Sequence, residues 1–309
     1  MTDDLHVLQL ASSDESYFRQ QVETLERRGI QSTSIVVPGV VAGNNARGVR
    51  EYVNFYSKVL GEARNEYDLV HVNYGLIGPF GLAQPKRPVV LSLWGSEVMG
   101  FSKRLDRITR FAARRSDAVI APSKAVSQHL DCDHIVVPYG INLSRFRPID
   151  RAEAREYLGW QADELIIVFP YDPQRTVKNF PLARRVVDKA GVDVELRIVM
   201  GRPYEDMPFV MNAADVVLVT SERESGPMVV REAAACNVPV VSTDVGFVTE
   251  TLENVTNSYV CRSEPELVRG LEAAIRSSGR SNGRDSIEGL DVDDMADQLI
   301  TVYDAVLST

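Results

Sequence analysis

A chain of 309 residues, 44% hydrophobic and 25% charged, has room for two ordinary domains, each with its own core. Its net charge of −9 argues against a nucleic-acid partner, and the acidic start MTDDLHVLQL and the lack of any run of ~18 apolar residues argue against a signal peptide or a membrane span. The expected compartment is the cytoplasm. Charge is uneven: residues 1–150 hold 18 basic and 16 acidic residues, whereas 151–309 hold 16 and 27. The less acidic half is therefore the one suited to an anionic acceptor or surface. Cys132, Cys236 and Cys261 match no zinc or redox spacing.

Buried-strand patterns at 6–10, 33–37, 69–72, 89–93, 118–121 and 135–138 alternate with helical patterns at 17–28, 48–60, 101–115 and 124–130. The first helix carries Tyr17, Val22 and Leu25 on its expected inner side and stops at Gly29. An irregular stretch at 140–148 opens a second series, with strands at 165–170, 195–200, 213–219, 238–242 and 258–260. Its helices are expected at 182–190, 228–236 and 265–277, and a last helix at 292–307 closes the chain. Such alternation implies parallel sheets covered on both faces, with ligands beyond the carboxyl ends of the strands.

Chemistry-bearing residues cluster at those strand ends. After the strand ending at Val219, Glu224 lies in a loop, a helix opens at Gly226–Pro227, and Glu232 follows inside it. The first free N–H groups of that helix, near Met228 and Val229, can hold a diphosphate, and Glu232, about one and a half turns further on, can accept hydrogen bonds from two ribose hydroxyls. Arg175 and Lys178, in FPYDPQRTVKNF, face the same end of the sheet and can neutralise charge on a departing diphosphate. In the first series, VHVNYGLIGPFG places His71, Asn73 and Tyr74 at one strand end, and SLWGSEV places Trp94, Ser96 and Glu97 at another; Asp14 and Glu15 lie in the first loop. His71 reads equally as a catalytic group or a satisfied core histidine, and Trp94 as a stacking platform or plain packing. Asp131 and Asp133 spell a DxD at a helix end, which reads as chance. No metal-ligand spacing occurs, so metal-independent chemistry is expected.

The segment AADVVLVTSERESGPMVVREAAACNVPVVSTDVG, with its E-x7-E pair Glu224 and Glu232, resembles the donor site of family 4 glycosyltransferases. Arg175 followed by Lys178–Asn179 is similar to the family's phosphate-binding loop, and Pro138 to Phe146 to its interdomain segment. The resemblance implies a GT-B architecture: two facing Rossmann-like α/β domains with a cleft between them. Residues 1–145 would form the acceptor-side domain, 146–290 the donor domain, and 291–309 a helix packing back on the first. It further implies a retaining, hexosyltransferase-type enzyme using a UDP- or GDP-sugar as donor substrate, without a separate cofactor, on a glycan or lipid-linked acceptor. Glu224 would hold sugar hydroxyls, Glu232 the ribose, and Arg175 and Lys178 the diphosphate; Asp14, Glu15, Asn73, Tyr74, Trp94, Ser96 and Glu97 correspond to acceptor and sugar loops.

The chain departs from the pattern in having Ser225 before Gly226, Trp94 where relatives often carry His, and no Gly-Gly in the first loop. An inactive binding subunit or a nucleotide-sugar epimerase on the same fold are the alternatives. Finally, KRLDRITRFAARR carries Lys103, Arg104, Arg107, Arg110, Arg114 and Arg115, with Leu105, Ile108, Phe111 and Ala112 at helical spacing. The apolar set is expected to pack on the sheet and the cations to face either solvent or an anionic membrane, which would make the protein peripheral on the inner leaflet.

Overall fold

The computed structural model describes residues 5–39, 47–100, 102–191, 193–277 and 279–308. It divides into two compact units, Met1–Gly140 with Val292–Thr309, and Ile141–Asp291.

The first unit runs β1 (His6–Ala11), α1 (Ser16–Arg27), β2 (Gln31–Val36), α2 (Val49–Glu62), β3 (Leu69–Asn73), α3 (Gly78–Ala83), β4 (Val89–Ser92), α4 (Lys103–Ala113), β5 (Ala118–Ala121), α5 (Lys124–Ser127) and β6 (Ile135–Val136). Its strands are parallel in the order β2-β1-β3-β4-β5-β6. The chain steps outward from β1 to β2, then crosses to β3 on the far side of β1, where Val7 pairs with Leu69. This reversal leaves a crevice between the carboxyl ends of β1 and β3. Leu8, Leu10, Val70 and Val72 pack on one face with Phe55, Val59, Ala112 and Ala113; Val7, Leu69 and Val90 pack on the other with Leu25.

Two expectations for this unit fail. The inner side of α1 is Phe18, Gln21, Thr24 and Leu25, because Gln21 turns inward to a polar partner described below, while Tyr17 and Val22 are only half-buried. On α4 the buried residues are Thr109, Ala112 and Ala113, not the large apolar set. Glycines explain the second: a Cβ on Gly75 would fall 2.3 Å from Thr109 Cγ2, and one on Gly78 would fall 2.5 Å from the Ala112 methyl. The helix therefore lies with its small residues against these glycines. That rotation leaves Ile108 37% and Phe111 48% exposed, with Arg104 and Arg107 exposed beside them.

The second unit runs α6 (Arg151–Leu158), β7 (Ile166–Phe169), α7 (Phe180–Ala190), β8 (Glu195–Ile198), α8 (Met207–Ala213), β9 (Val216–Val219), α9 (Met228–Ala235), β10 (Val240–Thr243), α10 (Val248–Leu252), β11 (Tyr259–Cys261) and α11 (Glu264–Ser277). The sheet is parallel, in the order β11-β10-β9-β7-β8, so the strand order reverses between β7 and β9. The apolar run 213–219 is not one strand: Ala213 ends α8, which carries Pro208 in its first turn, and β9 begins at Val216. Helix α6, unassigned from sequence, starts where the Asp150 side chain accepts from Ala152 N and Glu153 N and stops at Gly159, whose φ is 66°. The buried Arg155 of α6 donates to Asp215 Oδ2 at 2.8 Å, and that same oxygen accepts from Ile166 N at 2.7 Å, which ties the helix to the roots of β7 and β9.

The last helix, α12 (Val292–Leu307), belongs to the first unit. Met295, Leu299, Val302 and Tyr303 complete the apolar layer around Leu25 and Val7, and Arg28 Nη1 reaches Asp297 Oδ1 at 2.8 Å.

Candidate active site

At the reversal in the second sheet, the loops after β7 and β9 are laced together. Thr220 Oγ1 donates to the carbonyls of Lys178 (3.0 Å) and Asn179 (3.1 Å), and Glu222 N donates to Val177 O at 2.9 Å. Thr243 Oγ1, at the end of β10, donates to Ser221 O at 2.7 Å and holds the third strand end in place. The lacing brings together two side chains that lie 46 residues apart: Lys178 Nζ donates to Glu224 Oε1. Ser221 Oγ donates to the same carboxylate oxygen at 2.8 Å, and the ammonium lies 3.8 Å from the centre of the Tyr171 ring. Lys178 is only 4% exposed, and burial pulls its pKa down while Glu224 opposes the shift. A cation held dry in this way acts on a developing negative charge more strongly than one in water.

Helix α9 opens beside this pair. Gly246 sits at φ 56°, and a Cβ there would fall 2.8 Å from Gly226 N; a Cβ on Gly226 would strike the Phe247 ring at 2.1 Å. The turn before α9 therefore requires glycine at both positions, and Pro227 stands at the helix cap. The N–H groups of Met228 and Val229 lie in the first turn, where an α-helix leaves donors unpaired by its own carbonyls. Glu232, four residues into the helix, is 8% exposed; burial pushes its carboxyl up to about 7, against a hydrogen bond from Tyr204 that holds it down. Tyr204 in turn packs on Phe146 at 5.6 Å between ring centres. Arg175 is exposed at the start of the short turn Thr176–Lys178. Sequence reading missed Tyr171, Ser221, Tyr204, Gly246 and Phe247; only Tyr171, directly after an expected strand, carried a usable signal.

In the first unit, two residues expected to meet substrate turn inward. His71 is fully buried, with Nδ1 2.6 Å from Tyr303 Oη and Nε2 2.7 Å from Ser92 Oγ, and burial lowers its pKa to about 3. A neutral ring with both nitrogens engaged is a structural histidine, not a general base. Asn73 is likewise consumed: it donates to Gln9 Oε1 and accepts from Gln21 Nε2, each at 3.0 Å. Both lie on the side of β3 that α1 and α12 cover. Glu97 is also fully buried rather than presented, its Oε1 accepting from Trp94 N at 2.8 Å and Gly75 N at 3.1 Å. Tyr74, Trp94 and Ser96 remain half-buried at the strand ends, and Asp14 and Glu15 are exposed, Asp14 paired with Arg19 at 3.4 Å.

Two parallel α/β sheets of this kind, with a phosphate-type loop at the reversal of the second, define a GT-B-like glycosyltransferase. Comparison with known proteins gives the family. The model for Glycosyltransferase Family 4 matches residues 4–145, and that for Glycosyl transferases group 1 matches residues 182–285. A curated relative, D-inositol 3-phosphate glycosyltransferase from Actinosynnema mirum, is 28% identical over 250 residues, covering 60% of this chain and 58% of its own length. The chain thus spans little more than half of that relative. Among solved structures, sucrose-phosphate synthase from Thermosynechococcus elongatus superposes with a TM-score of 0.76 at 19% identity, covering 98% of this chain and 99% of that one. Anabaena HepE in complex with UDP gives a TM-score of 0.74 at 17% identity, covering 97% and 100%. The chain belongs to glycosyltransferase family 4.

Proposed function

We propose that this protein is a retaining, metal-independent glycosyltransferase that moves a hexosyl group from a nucleotide-diphosphate sugar to a hydroxyl of a glycan or lipid-linked acceptor. The observation that carries the reading is the buried Lys178–Glu224 pair at the reversal of the second sheet, beside the opening of α9 and four residues from it the buried Glu232. The α9 N–H groups of Met228 and Val229, together with Lys178 and the exposed Arg175, bind the diphosphate. Glu232 accepts hydrogen bonds from ribose hydroxyls, and Glu224, steadied by Ser221, accepts them from the sugar.

In the reaction the bond between the anomeric carbon and the diphosphate oxygen breaks, and a bond forms to the acceptor oxygen on the same face. The acceptor proton leaves, and the nucleoside diphosphate is the second product. Negative charge grows on the leaving group as its bond lengthens, which is where Lys178 and Arg175 act. UDP is the donor nucleotide tried first, because HepE was solved with it; D-inositol 3-phosphate is one acceptor to try, since it names the curated relative.

The exposed stripe of α4 gives the protein a membrane-facing surface. Arg104, Arg107, Ile108 and Phe111 share one side, with Arg115 stacked 4.1 Å over Phe111, so cations surround two apolar side chains. Arg110 and Arg114 contribute less, being paired with Asp131 at 3.5 and 2.6 Å. No helix of the described residues is long and apolar enough to cross a membrane, and docking would be reversible. The deciding experiment for the transfer reaction offers UDP- and GDP-sugars with acceptors and follows nucleotide release and anomeric configuration by NMR. Release with retained configuration is expected. Binding of nucleotide without any release would leave the inactive-subunit alternative, and release of an epimerised sugar the other.

A further inference from the structure

The loops closing the carboxyl ends of the first sheet bring four aromatic rings into one cluster. Trp94, after β4, meets Tyr17 of α1 edge-on at 4.8 Å between ring centres and Tyr74, after β3, at 5.2 Å; Tyr139, after β6, lies 5.6 Å from Tyr17. All four are half-buried, so the cluster has a solvent side. Tyr17 and Tyr139 stood outside the sequence motifs, because Tyr17 reads as an inward helix residue and Tyr139 as part of an interdomain segment.

Two features show that this arrangement is built rather than incidental. Tyr74 holds φ 116°, a conformation an L residue avoids, and such strain persists where the surroundings over-determine it. Those surroundings are visible: Tyr74 N donates to Ser92 O at 2.9 Å, and the buried Glu97 Oε1 accepts from both Gly75 N and Trp94 N. A single carboxylate thus ties the loop bearing Tyr74 to the loop bearing Trp94 and sets the distance between the two rings. Ser96 Oγ, 3.4 Å from Tyr74 Oη, adds a polar contact on the same loop.

Charge then selects the ligand. Segments 12–16, 73–78 and 93–102 contain Asp14, Glu15 and Glu97 and no Lys, Arg or His. The neighbouring Arg19 is paired with Asp14. Ring faces stack on the C–H faces of sugars and cyclitols, and carboxylates and hydroxyls take up their hydroxyl groups. A phosphate placed among these acids would find repulsion instead of the fork of donors it needs. The contrast with the second unit, where Lys178 and Arg175 stand at the strand ends, is complete.

We infer that the first unit seats a neutral, unphosphorylated polyol ring on Trp94 and Tyr74, framed by Tyr17 and Tyr139, with Glu97 as a positioning residue. This rests on the glycosyltransferase reading above and names the ring that receives the sugar. Saturation-transfer NMR on the full chain tests it, with methyl α-glucoside and myo-inositol as neutral probes and glucose 6-phosphate and myo-inositol 1-phosphate as charged ones. UDP affinity, measured by calorimetry, reports separately on the second unit. Saturation of at least one neutral probe is expected, with its phosphorylated counterpart roughly tenfold weaker or silent. Trp94→Leu and Tyr74→Leu should each lower the neutral signal by roughly tenfold while UDP affinity stays within about twofold. Glu97→Gln keeps an acceptor for the two N–H groups and should retain binding; Glu97→Ala should lose it. Preferential binding of the phosphorylated rings, silence from both neutral probes, or indifference to the Trp94 and Tyr74 variants overturns the inference. Loss of UDP binding by the wild-type chain would count instead against the nucleotide site.

Discussion

Raising the pH from 6 to 8 should tighten UDP binding about tenfold in the wild-type chain and give no such gain in a Glu232→Gln variant. The reasoning starts from burial: Glu232 is 8% exposed and its carboxyl is pushed from 4.5 up to about 7. A ribose presents two O–H donors, which the carboxylate accepts and the protonated acid accepts less well, so nucleotide binds the ionised form. Near pKa 7 the ionised fraction is about one in eleven at pH 6 and about ten in eleven at pH 8, a tenfold difference, or about 1.4 kcal/mol. Binding at pH 7 should accordingly release roughly half a proton, measurable by calorimetry in buffers of different ionisation enthalpy. The terminal phosphate of UDP also titrates, near about pH 6, but it does so equally with the variant, and the difference between the two proteins isolates Glu232. Linkage fixes the sign for the free protein too. A carboxyl whose folded pKa is raised contributes stability that is complete below about 4.5 and is lost as pH rises through about 7, on the order of 3 kcal/mol. Thermal stabilisation by UDP should therefore be greater at pH 8 than at pH 6. Equal pH slopes for wild type and Glu232→Gln would refute the ribose assignment.

Lys178→Met should lower turnover roughly 100-fold or more, with a smaller effect on UDP affinity, because the cation works on charge that appears as the bond breaks; steady-state kinetics with normal turnover would place the lysine outside the chemistry. Gly246→Ala puts a Cβ 2.8 Å from Gly226 N at φ 56°, and should cost about 1–3 kcal/mol along with weakened nucleotide binding; an unchanged melting temperature would mean that the turn before α9 yields easily. Arg104 and Arg107, exposed and outside the Asp131 pairs, should each contribute about 1 kcal/mol to anionic vesicles. The double change to Gln should reduce flotation roughly 30-fold at low salt, and binding indifferent to lipid charge would exclude the docking surface.

The alternation of strands and helices, and thus the two parallel sheets, was legible because each parallel strand is buried on both faces and reads as an apolar run. Where apolar runs continued through a helix end, as at Ala213–Ala214 before β9, the pattern could not place the break. Side-chain direction on α4 was illegible for a different reason. Periodicity shows that Ile108, Phe111 and Ala112 share a side only loosely, and the deciding contacts come from Gly75 and Gly78, some thirty residues earlier in the chain. A helix that meets glycines buries its smallest residues, not its largest.

The same distance in sequence separates what was read correctly at the site from what was not. Glu224, Lys178 and Glu232 were marked by local motifs, but nothing local requires that Lys178 meet Glu224 across 46 residues. That contact follows from the reversal of strand order, which places the loop after β7 directly beside the loop after β9. His71 shows the converse. Its place near a strand end made it a candidate base, yet strand alternation turns residues 69, 71 and 73 toward α1 and α12, and Tyr303, 232 residues away, occupies Nδ1. Which face of a strand looks at a ligand depends on what covers the other face, and here the cover is the final helix. In the first unit, then, the groups that remain to meet a ligand are those beyond the ends of the strands, where Tyr74 and Trp94 are held by Glu97, while the polar residues within β3 serve to fasten that final helix to the sheet.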